Sequence, residues 1–446
     1  MSQNNGKKSA DYLDPTFADN GVLNIPLEGR GNRVAQSVVS LPAKKLLVLL
    51  SSNQGNPPAV AKLNEDGSVD RSFADNGFAD LVFPGGASPA FRRLHPLPSG
   101  WLVTGTTDSG ELVVVRQLED GSPDTSFGTD KDGKVIINIY DLIDSRETTD
   151  ARFAEFKRQA PGNNASTDTG SASIGIVAQQ DGKILLISTV IFDSNDEKGI
   201  AVRLNVDGSL DKTFNGSGFV LVELPGVPHD VTEAFGATIQ QDGKVLVCGH
   251  FIKPGDGGVD AYIIRYNQNG SVDSSYGGSN TGVVTVTRSD DSLVFDSLAL
   301  KPDGGVIAVG NATSSDYQRK EGLVISLNPT GSFNLVFNNG KPLFADFTEH
   351  GVRWTRCVSQ ANGKLIVGGP GGGLDEHGSS LTARYNADGS LDQTFAGKGW
   401  ADFNHPGGID FYRDCAVMDD QRIVVAAYVV DEDVPTNYGY VLRYLP

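Results

Sequence analysis

Apolar runs of four to eight residues alternate with polar turns along the whole chain, and the alternation repeats about every 60 residues. Each period holds an apolar stretch, a turn such as Gln179-Gln180-Asp181-Gly182-Lys183, and a second apolar stretch. A variable loop follows, then a third stretch ending in the style of Arg203-Leu204-Asn205-Val206-Asp207-Gly208-Ser209, and a closing Leu210-Asp211-Lys212-Thr213-Phe214. Side-alternating segments such as Ala201-Val202-Arg203-Leu204 and continuous apolar ones such as Lys183 to Ile187 both predict strands, and little helix is expected.

Two markers count the units. The closing aromatic is Phe17, Phe73, Phe127, Phe214, Tyr276, Phe337 and Phe395, at intervals of 56, 54, 87, 62, 61 and 58 residues. The turn and second strand recur over Pro42–Leu50, Pro98–Gly105, Asp181–Ser188, Asp242–Gly249, Asp303–Gly310, Asn362–Gly369 and Asp420–Ala427. Seven units of four short strands predict an all-β fold, a seven-bladed β-propeller of four-stranded blades.

The chain ends partway through a unit, at Tyr440 to Pro446, and the missing Leu-Asp-x-x-Phe stands at Leu13 to Phe17. The ring is therefore expected to close by an N-terminal strand completing the C-terminal blade. Residues 1–9 read as a flexible tail and residues 10–446 as one propeller.

A basic residue precedes the repeat Asp by eight in Lys62/Asp70, Arg116/Asp124, Arg203/Asp211, Arg265/Asp273 and Arg384/Asp392. The same register matches Arg443 to Asp14. In the fifth unit both are replaced, by Ser326 and Asn334. Joint loss predicts a partly buried ion pair in every other blade, because one buried charge without its partner is costly.

Composition narrows the function classes. With 37 Lys and Arg against 55 Asp and Glu, the net charge is -18, which disfavours nucleic acid as a partner. No apolar run reaches membrane-span length, and the N-terminus lacks the apolar segment of a secretory signal. A cytoplasmic location, or export without a classical signal peptide, is expected, without membrane insertion. Cys248, Cys357 and Cys415 lack metal or redox spacing, and the last two share one register position, so all three read as buried apolar residues.

The Asn205 to Phe214 turn and closing segment, with Gln180-Asp181-Gly182-Lys183-Ile184-Leu185, resemble the bacterial delta-60 repeat family from residue 11 onward. The resemblance implies a β-propeller of unassigned function. The first unit departs from it with Ala43-Lys44 in the turn, and the fifth with Asn328-Pro329-Thr330-Gly331.

Asn-x-Asp-Gly-Ser-x-Asp, at Asn64 to Asp70, Asn205 to Asp211 and Asn386 to Asp392, groups oxygens as calcium loops do. It lacks the terminal bidentate Glu, and the fifth unit has lost both Asp positions while keeping Gly and Ser. Hairpin-turn chemistry is the preferred reading, with a calcium-stabilised module as an alternative and no other cofactor or metal. Hydrolase elbows and zinc motifs do not occur.

Function is expected on the face carrying the blade-to-blade loops and the loops between second and third strands. The latter are acidic, with Asp193, Asp196 and Glu197, then Asp256 and Asp260, then Asp375 and Glu376, then Asp431, Glu432 and Asp433. These predict a binding rim. The blade-to-blade loops bring His229 and Asp230, His350, and His405 with Asp410. Near the inner strands stand Arg33, Arg92 and Arg93, Arg353 and Arg356, and Arg413, and together these form a candidate pocket at the mouth of the central channel.

An insertion at about 141–171 is expected to be helix-compatible over Ser145 to Ala160 and to act as a lid over the channel mouth. The leading expectation is a non-catalytic binding or scaffolding propeller that recognises a protein or glycan through the acidic loop face. The alternative is a hydrolase or lyase using the His/Arg/Asp pocket. Neither reading sets the oligomeric state.

Overall fold

A computed structural model describes residues 12–27, 30–31, 33–51, 57–83, 89–144, 175–178, 181–193, 196–255, 257–278, 280–349, 351–371, 378–405, 408–430 and 437–446, with backbone alone for 175–178 and 193. Among them, 28 strands form seven four-stranded antiparallel sheets arranged as a ring of blades.

Blade 1 is Val34–Ser40, Leu46–Ser51, Ala59–Leu63 and Phe78–Asp80, from the channel outward. Blade 2 is Ala90–Leu97, Gly100–Thr106, Leu112–Gln117 and Lys134–Ile137. Blade 3 is Gly175–Ala178, Ile184–Asp193, Asp196–Leu204 and Phe219–Leu221; blade 4 is Val231–Ile239, Val245–Ile252, Val259–Tyr266 and Val283–Val286. Blade 5 is Asp291–Leu300, Val306–Ser314, Lys320–Leu327 and Leu343–Ala345; blade 6 is Arg356–Ser359, Leu365–Gly371, Ser379–Tyr385 and Trp400–Phe403.

Blade 7 closes the ring. Ile409–Val417, Ile423–Val430 and Asn437–Tyr444 come from the C-terminus, and Val22–Ile25 from the N-terminus is its outer strand, with Val22 opposite Leu442 and Ile25 opposite Gly439. Leu13 bridges Tyr444, and the Asp14 N–H donates to the Arg443 carbonyl at 2.8 Å. Closure pairs an outer strand that would otherwise be missing and leaves no long open edge.

The hydrophobic core is divided into seven clusters, each between two neighbouring blades. Both sheet faces are therefore buried, which explains the near-continuous apolar strands. The repeat motif joins one blade to the next. Phe17 of blade 7 packs under Gly67 of blade 1, Phe127 under Gly208, Phe214 under Gly270, and Tyr276 under Gly331. At Gly208, φ is +88° and an added Cβ would lie 2.6 Å from Val135 Cγ2 and 3.0 Å from the Phe127 ring. Glycine is required there both for the left-handed turn and for the close approach of the preceding blade.

Charged residues reinforce the same junctions. Asp14 lies 2.8 Å from Arg443, Asp124 2.9 Å from Arg116, Asp211 2.6 Å from Arg203, Asp273 2.9 Å from Arg265, and Asp392 2.5 Å from Arg384. Arg116, Arg203 and Arg265 also donate to the carbonyls of Val206, Gln268 and Pro329 in the following blade, at 2.8, 2.6 and 2.6 Å. Arg443 reaches the Glu65 carbonyl in the same way.

Blade 1 departs from the expected pairing. Lys62 lies over the Phe73 ring at 5.3 Å, and Asp70 instead pairs with Lys45 at 2.6 Å. A lysine has no fork with which to hold carboxylate and carbonyl together. A second cation, unforeseen in the sequence, comes from the inner turn of each regular blade: Lys183 to Asp211, Lys244 to Asp273, Lys364 to Asp392 and Arg422 to Asp14.

Candidate functional site

The seven inner strands surround the channel, and among the described residues five of them carry a β-bulge near their loop-side ends. A bulge inserts one unpaired residue and re-aims its side chain. Here the extra residues are Gln36, Arg92, Phe235, Asp296 and Arg413. Four are tied to their own second strand. Gln36 donates to Ser51 at 2.9 Å, Phe235 stacks on His250 at 5.5 Å, Asp296 accepts from Asn311 at 3.2 Å, and Arg413 donates to the Tyr428 hydroxyl at 2.6 Å. Phe411 also stacks on Tyr428, with ring centroids 5.0 Å apart.

Below the bulges lies a cavity of about 440 Å³, lined by inner-strand residues of blades 1, 2, 4, 5, 6 and 7. Its wall carries a node of charges drawn from three blades. The Asp414 carboxylate is 3.1 Å from Arg93 Nη1 and 3.7 Å from Arg356 Nε, and it accepts the Ser37 hydroxyl. Arg93 also donates to the Arg413 carbonyl at 3.2 Å, and Arg356 to the Thr355 carbonyl at 2.5 Å. Asp296, also on the cavity wall, lies 3.6 Å from Arg353.

Burial pushes Asp414 and Asp296 above the usual carboxylate range, against the pull of Arg93 and Arg353 respectively. Burial also lowers Arg93 from its ordinary value, opposed by Asp414. His95, deeper in the cavity wall, is pushed down to about 4 by burial and is neutral at pH 7.

The candidate residues divide accordingly. Arg93 and Arg356 line the cavity, Arg353 reaches its wall, and Arg92 and Arg413 stand at bulges. Arg33 is turned away, buried and 4.0 Å from Asp80 on the outer strand of blade 1. His229 is held by Glu223 at 3.0 Å and by the Val227 carbonyl at 2.7 Å, beside the exposed Asp230. His405 stacks on Tyr440 at 5.7 Å, and its backbone N–H donates to Asp410 at 2.8 Å. The histidines therefore sit in separate inter-blade seats. His350 lies outside the described residues.

Asp410 is 1% exposed and takes the Tyr440 hydroxyl as a second donor. Burial outweighs that bond and raises its carboxyl to about 6.

Of the acidic rim, Asp256, Asp375, Glu376, Asp431, Glu432 and Asp433 lie outside the described residues, as does the side chain of Asp193. Asp260 does not stand on a solvated rim: it is 2% exposed and 2.9 Å from Lys253. Asp196 lies 3.9 Å from Lys198. Burial and the neighbouring Glu233 raise Glu197 above the usual range.

The tail and residues 145–174 of the insertion are likewise outside the described residues. The first part of the insertion is a short helix, Ile139–Asp144, capped by Asn138 at 3.0 Å from the Tyr140 nitrogen, with Ile139 and Ile143 buried. In the repeated turns the Asp oxygens face inward. Asp207 Oδ1 accepts both the Ser209 N–H at 3.0 Å and its hydroxyl at 2.7 Å, an Asx-turn arrangement.

Sequence reasoning missed Ser37, Asp296, Asp414, Phe235 and the Phe411–Tyr428 stack. Only the register of the inner strands, aligned across units with the bulge included, could have found them.

Four segments, residues 50–73, 179–214, 240–276 and 360–395, match the family model of a domain of unknown function (DUF5122) beta-propeller. Each ends on a closing aromatic, in the same frame as the repeat, and the chain is a β-propeller repeat protein. Comparison with curated proteins gives no match. Among solved structures, one similar fold is a protein of unknown function from Dyadobacter fermentans, at 12% identity, 95% of this chain, 100% of that chain and TM-score 0.41. Another is a polysaccharide lyase, PL25 ulvan lyase bound to -[GlcA(1-4)Rha3S]-, at 11%, 95%, 96% and 0.47. A third is the β-propeller domain of the Trilobed protease from Pyrococcus furiosus, at 8%, 92%, 94% and 0.43.

Proposed function

We propose that the protein is a non-catalytic binding propeller of the delta-60 repeat type, which takes a protein or glycan ligand on its loop face, over the mouth of the channel. The observation that carries this reading is where the blades differ from one another. At the turn end one motif is repeated with little change. At the loop end five of the inner strands present bulge residues of four types, Gln36, Arg92, Phe235, Asp296 and Arg413, above a cavity of small-molecule size, about 440 Å³. A conserved frame with individual contacts at one end suits recognition. The carboxylates there pair with Arg or accept hydrogen bonds from Ser, Asn or Tyr.

Binding to an array of neutral, basic and acidic glycans, together with pull-down against defined protein ligands, tests the reading. Saturable binding without product formation is expected. Turnover of any bound glycan would overturn it.

One observation favours an enzyme as the second reading. Asp410, raised to about 6 by burial, has the acidity of a general acid or base near neutral pH. Its 1% exposure means that a substrate would need the His405 loop to move first. Asp410→Asn abolishing turnover, once a reaction is found, is the outcome that reading requires.

A further inference from the structure

We infer that Arg93 and Arg356 form a carboxylate-binding subsite inside the channel, and that Asp414 is the resident side chain with which a ligand carboxylate competes. The inference rests on the binding reading above and names the ligand chemistry: an acidic glycan bearing uronate groups.

Charge is the first argument. Two guanidinium groups face one carboxylate, so the node keeps one unit of positive charge in a chain whose net charge is -18. A cation excess on a partly desolvated wall attracts an anion more strongly than the same charge in bulk water. The second argument is an unsatisfied donor. Arg356 Nε is buried and makes no hydrogen bond, since Asp414 stands 3.7 Å away. Asp414 is committed elsewhere, to Ser37 and to Arg93 Nη1 at 3.1 Å. A buried donor left unpaired is costly, and an incoming carboxylate would satisfy it.

Shape and charge number choose among anions. The planar fork of a guanidinium matches a planar carboxylate in two parallel hydrogen bonds. A single excess positive charge balances a monoanion, whereas a phosphate dianion beside Asp414 would be under-compensated. The opposite wall is suited to a sugar ring. Phe235 lines the cavity in its stack with His250, and Ser297 and Asp296 provide polar contacts beside it. Aromatic faces with adjacent polar groups fit the mixed apolar and hydroxylated surface of a pyranose.

Titration calorimetry with a galacturonate trimer and its neutral galactose counterpart tests the subsite on the full chain. The wild-type protein is expected to bind the uronate and not the neutral sugar. Arg356→Ala should weaken uronate binding at least tenfold. Asp414→Asn should strengthen it about tenfold, because the competing charge is gone while Ser37 keeps an acceptor. Arg356→Lys, which keeps charge but not the fork, should fall between wild type and Arg356→Ala, and it serves if Asp414→Asn does not fold by circular dichroism.

Uronate binding that none of these substitutions changes would overturn the subsite and leave the binding reading intact. Binding of the neutral sugar alone, or of a protein alone, would do the same. Cleavage of the uronate trimer would overturn both.

Discussion

Carboxylates at the turn end of the blades and those at the loop end are treated in opposite ways. At the turn end, Asp211, Asp273 and Asp392 each meet an Arg from the third strand, a Lys from the inner turn and a Ser or Thr two residues on. Burial alone would raise them, but these hydrogen bonds and charges hold all three well below the usual range. At the loop end, Asp296, Asp410 and Asp414 are buried so deeply that desolvation outweighs their hydrogen bonds and ion pairs, and all three are raised. The turn end satisfies its charges within the fold. The loop end leaves some of them for other work, and that difference separates frame from site.

The strongest challenge to the comparison is Asp14, which serves both Arg443 and Arg422, each at 2.8 Å, where the two chain termini meet. Asp14→Ala leaves the fully buried Arg443 without its carboxylate, takes one of three carboxylates from Arg422, which keeps Asp420 and Glu65, and loosens ring closure. A loss of about 3–5 kcal/mol is expected in chemical denaturation. Asp124→Ala should cost less, because Arg116 and Asp124 are its blade's only such pair among the described residues and Gly100 stands where other blades place the second cation. Equal losses would mean that closure adds nothing to the ordinary junction.

A pH titration of stability sharpens the contrast, because the two ends have opposite signs. Asp70, held at about 2 by the Lys45 and Ser72 hydrogen bonds, stabilises the fold above its ordinary value near 3.8, and that contribution is lost as pH falls toward 2. Asp410, raised to about 6 by burial, contributes fully below its unfolded value and loses that contribution as pH rises through 6. The loss is roughly 3 kcal/mol at 1.36 kcal/mol per unit. Asp410→Asn should flatten the decline between pH 4 and 7 and leave the acid limb in place. A flattened acid limb instead would reverse the assignment of the two ends.

Blade 5 is a natural test of the turn-end motif. Its four charged or capping positions are Gly305, Ser326, Asn334 and Val336, where blade 3 has Lys183, Arg203, Asp211 and Thr213. Leu335 and Val336 are 78% and 68% exposed, so no packing gain explains the change. The rest of the seat is intact, since Phe337 packs under Gly389 of blade 6. Ser326→Arg alone buries an unpaired cation and should destabilise. Adding Asn334→Asp should recover the loss, with a coupling of about 1–3 kcal/mol in a double-mutant cycle. Additive effects would show that the motif does not act as a unit.

The turn end was legible because it is written several times over. Seven closing aromatics counted the blades, and the joint change at Ser326 and Asn334 pointed to paired charges. Lys62 misled because charge alone does not reveal whether a side chain can fork. The second cation stands at the end of the inner turn, 28 residues before its Asp in blades 3 and 6 and 29 in blade 4, but a variable loop lies between them and charge alone does not mark the two as partners. The loop end was mostly illegible. A bulge shifts register by one residue without any composition signal, so Gln36, Phe235 and Asp296 could not be aligned as equivalents. Arg33 immediately precedes an inner strand and Arg93 lies within the first half of one, yet the first faces an outer strand and the second the cavity.

The smallest expected effect lies in the inner turn of blade 1, which departs from the repeat on both central residues. In blade 1, Ala43 and Lys44 both have φ of 59°, where blades 3, 4, 5 and 6 place glycine at the second of these positions. A left-handed alanine costs roughly 1–2 kcal/mol. Ala43 is exposed and makes no contact that glycine would lose, while Lys44 is bonded to Glu65 at 2.8 Å and should be kept. Ala43→Gly removes the strain but also frees the unfolded chain, which offsets about 0.4–1 kcal/mol of the gain. A net stabilisation of about 0.5 kcal/mol is therefore expected, visible as a higher denaturation midpoint with unchanged slope. A lower midpoint would show that the blade 1 turn is held in its left-handed form by contacts worth more than the strain, most directly the Lys44 bridge that reaches Glu65 and, at 3.8 Å, Asp420 of blade 7.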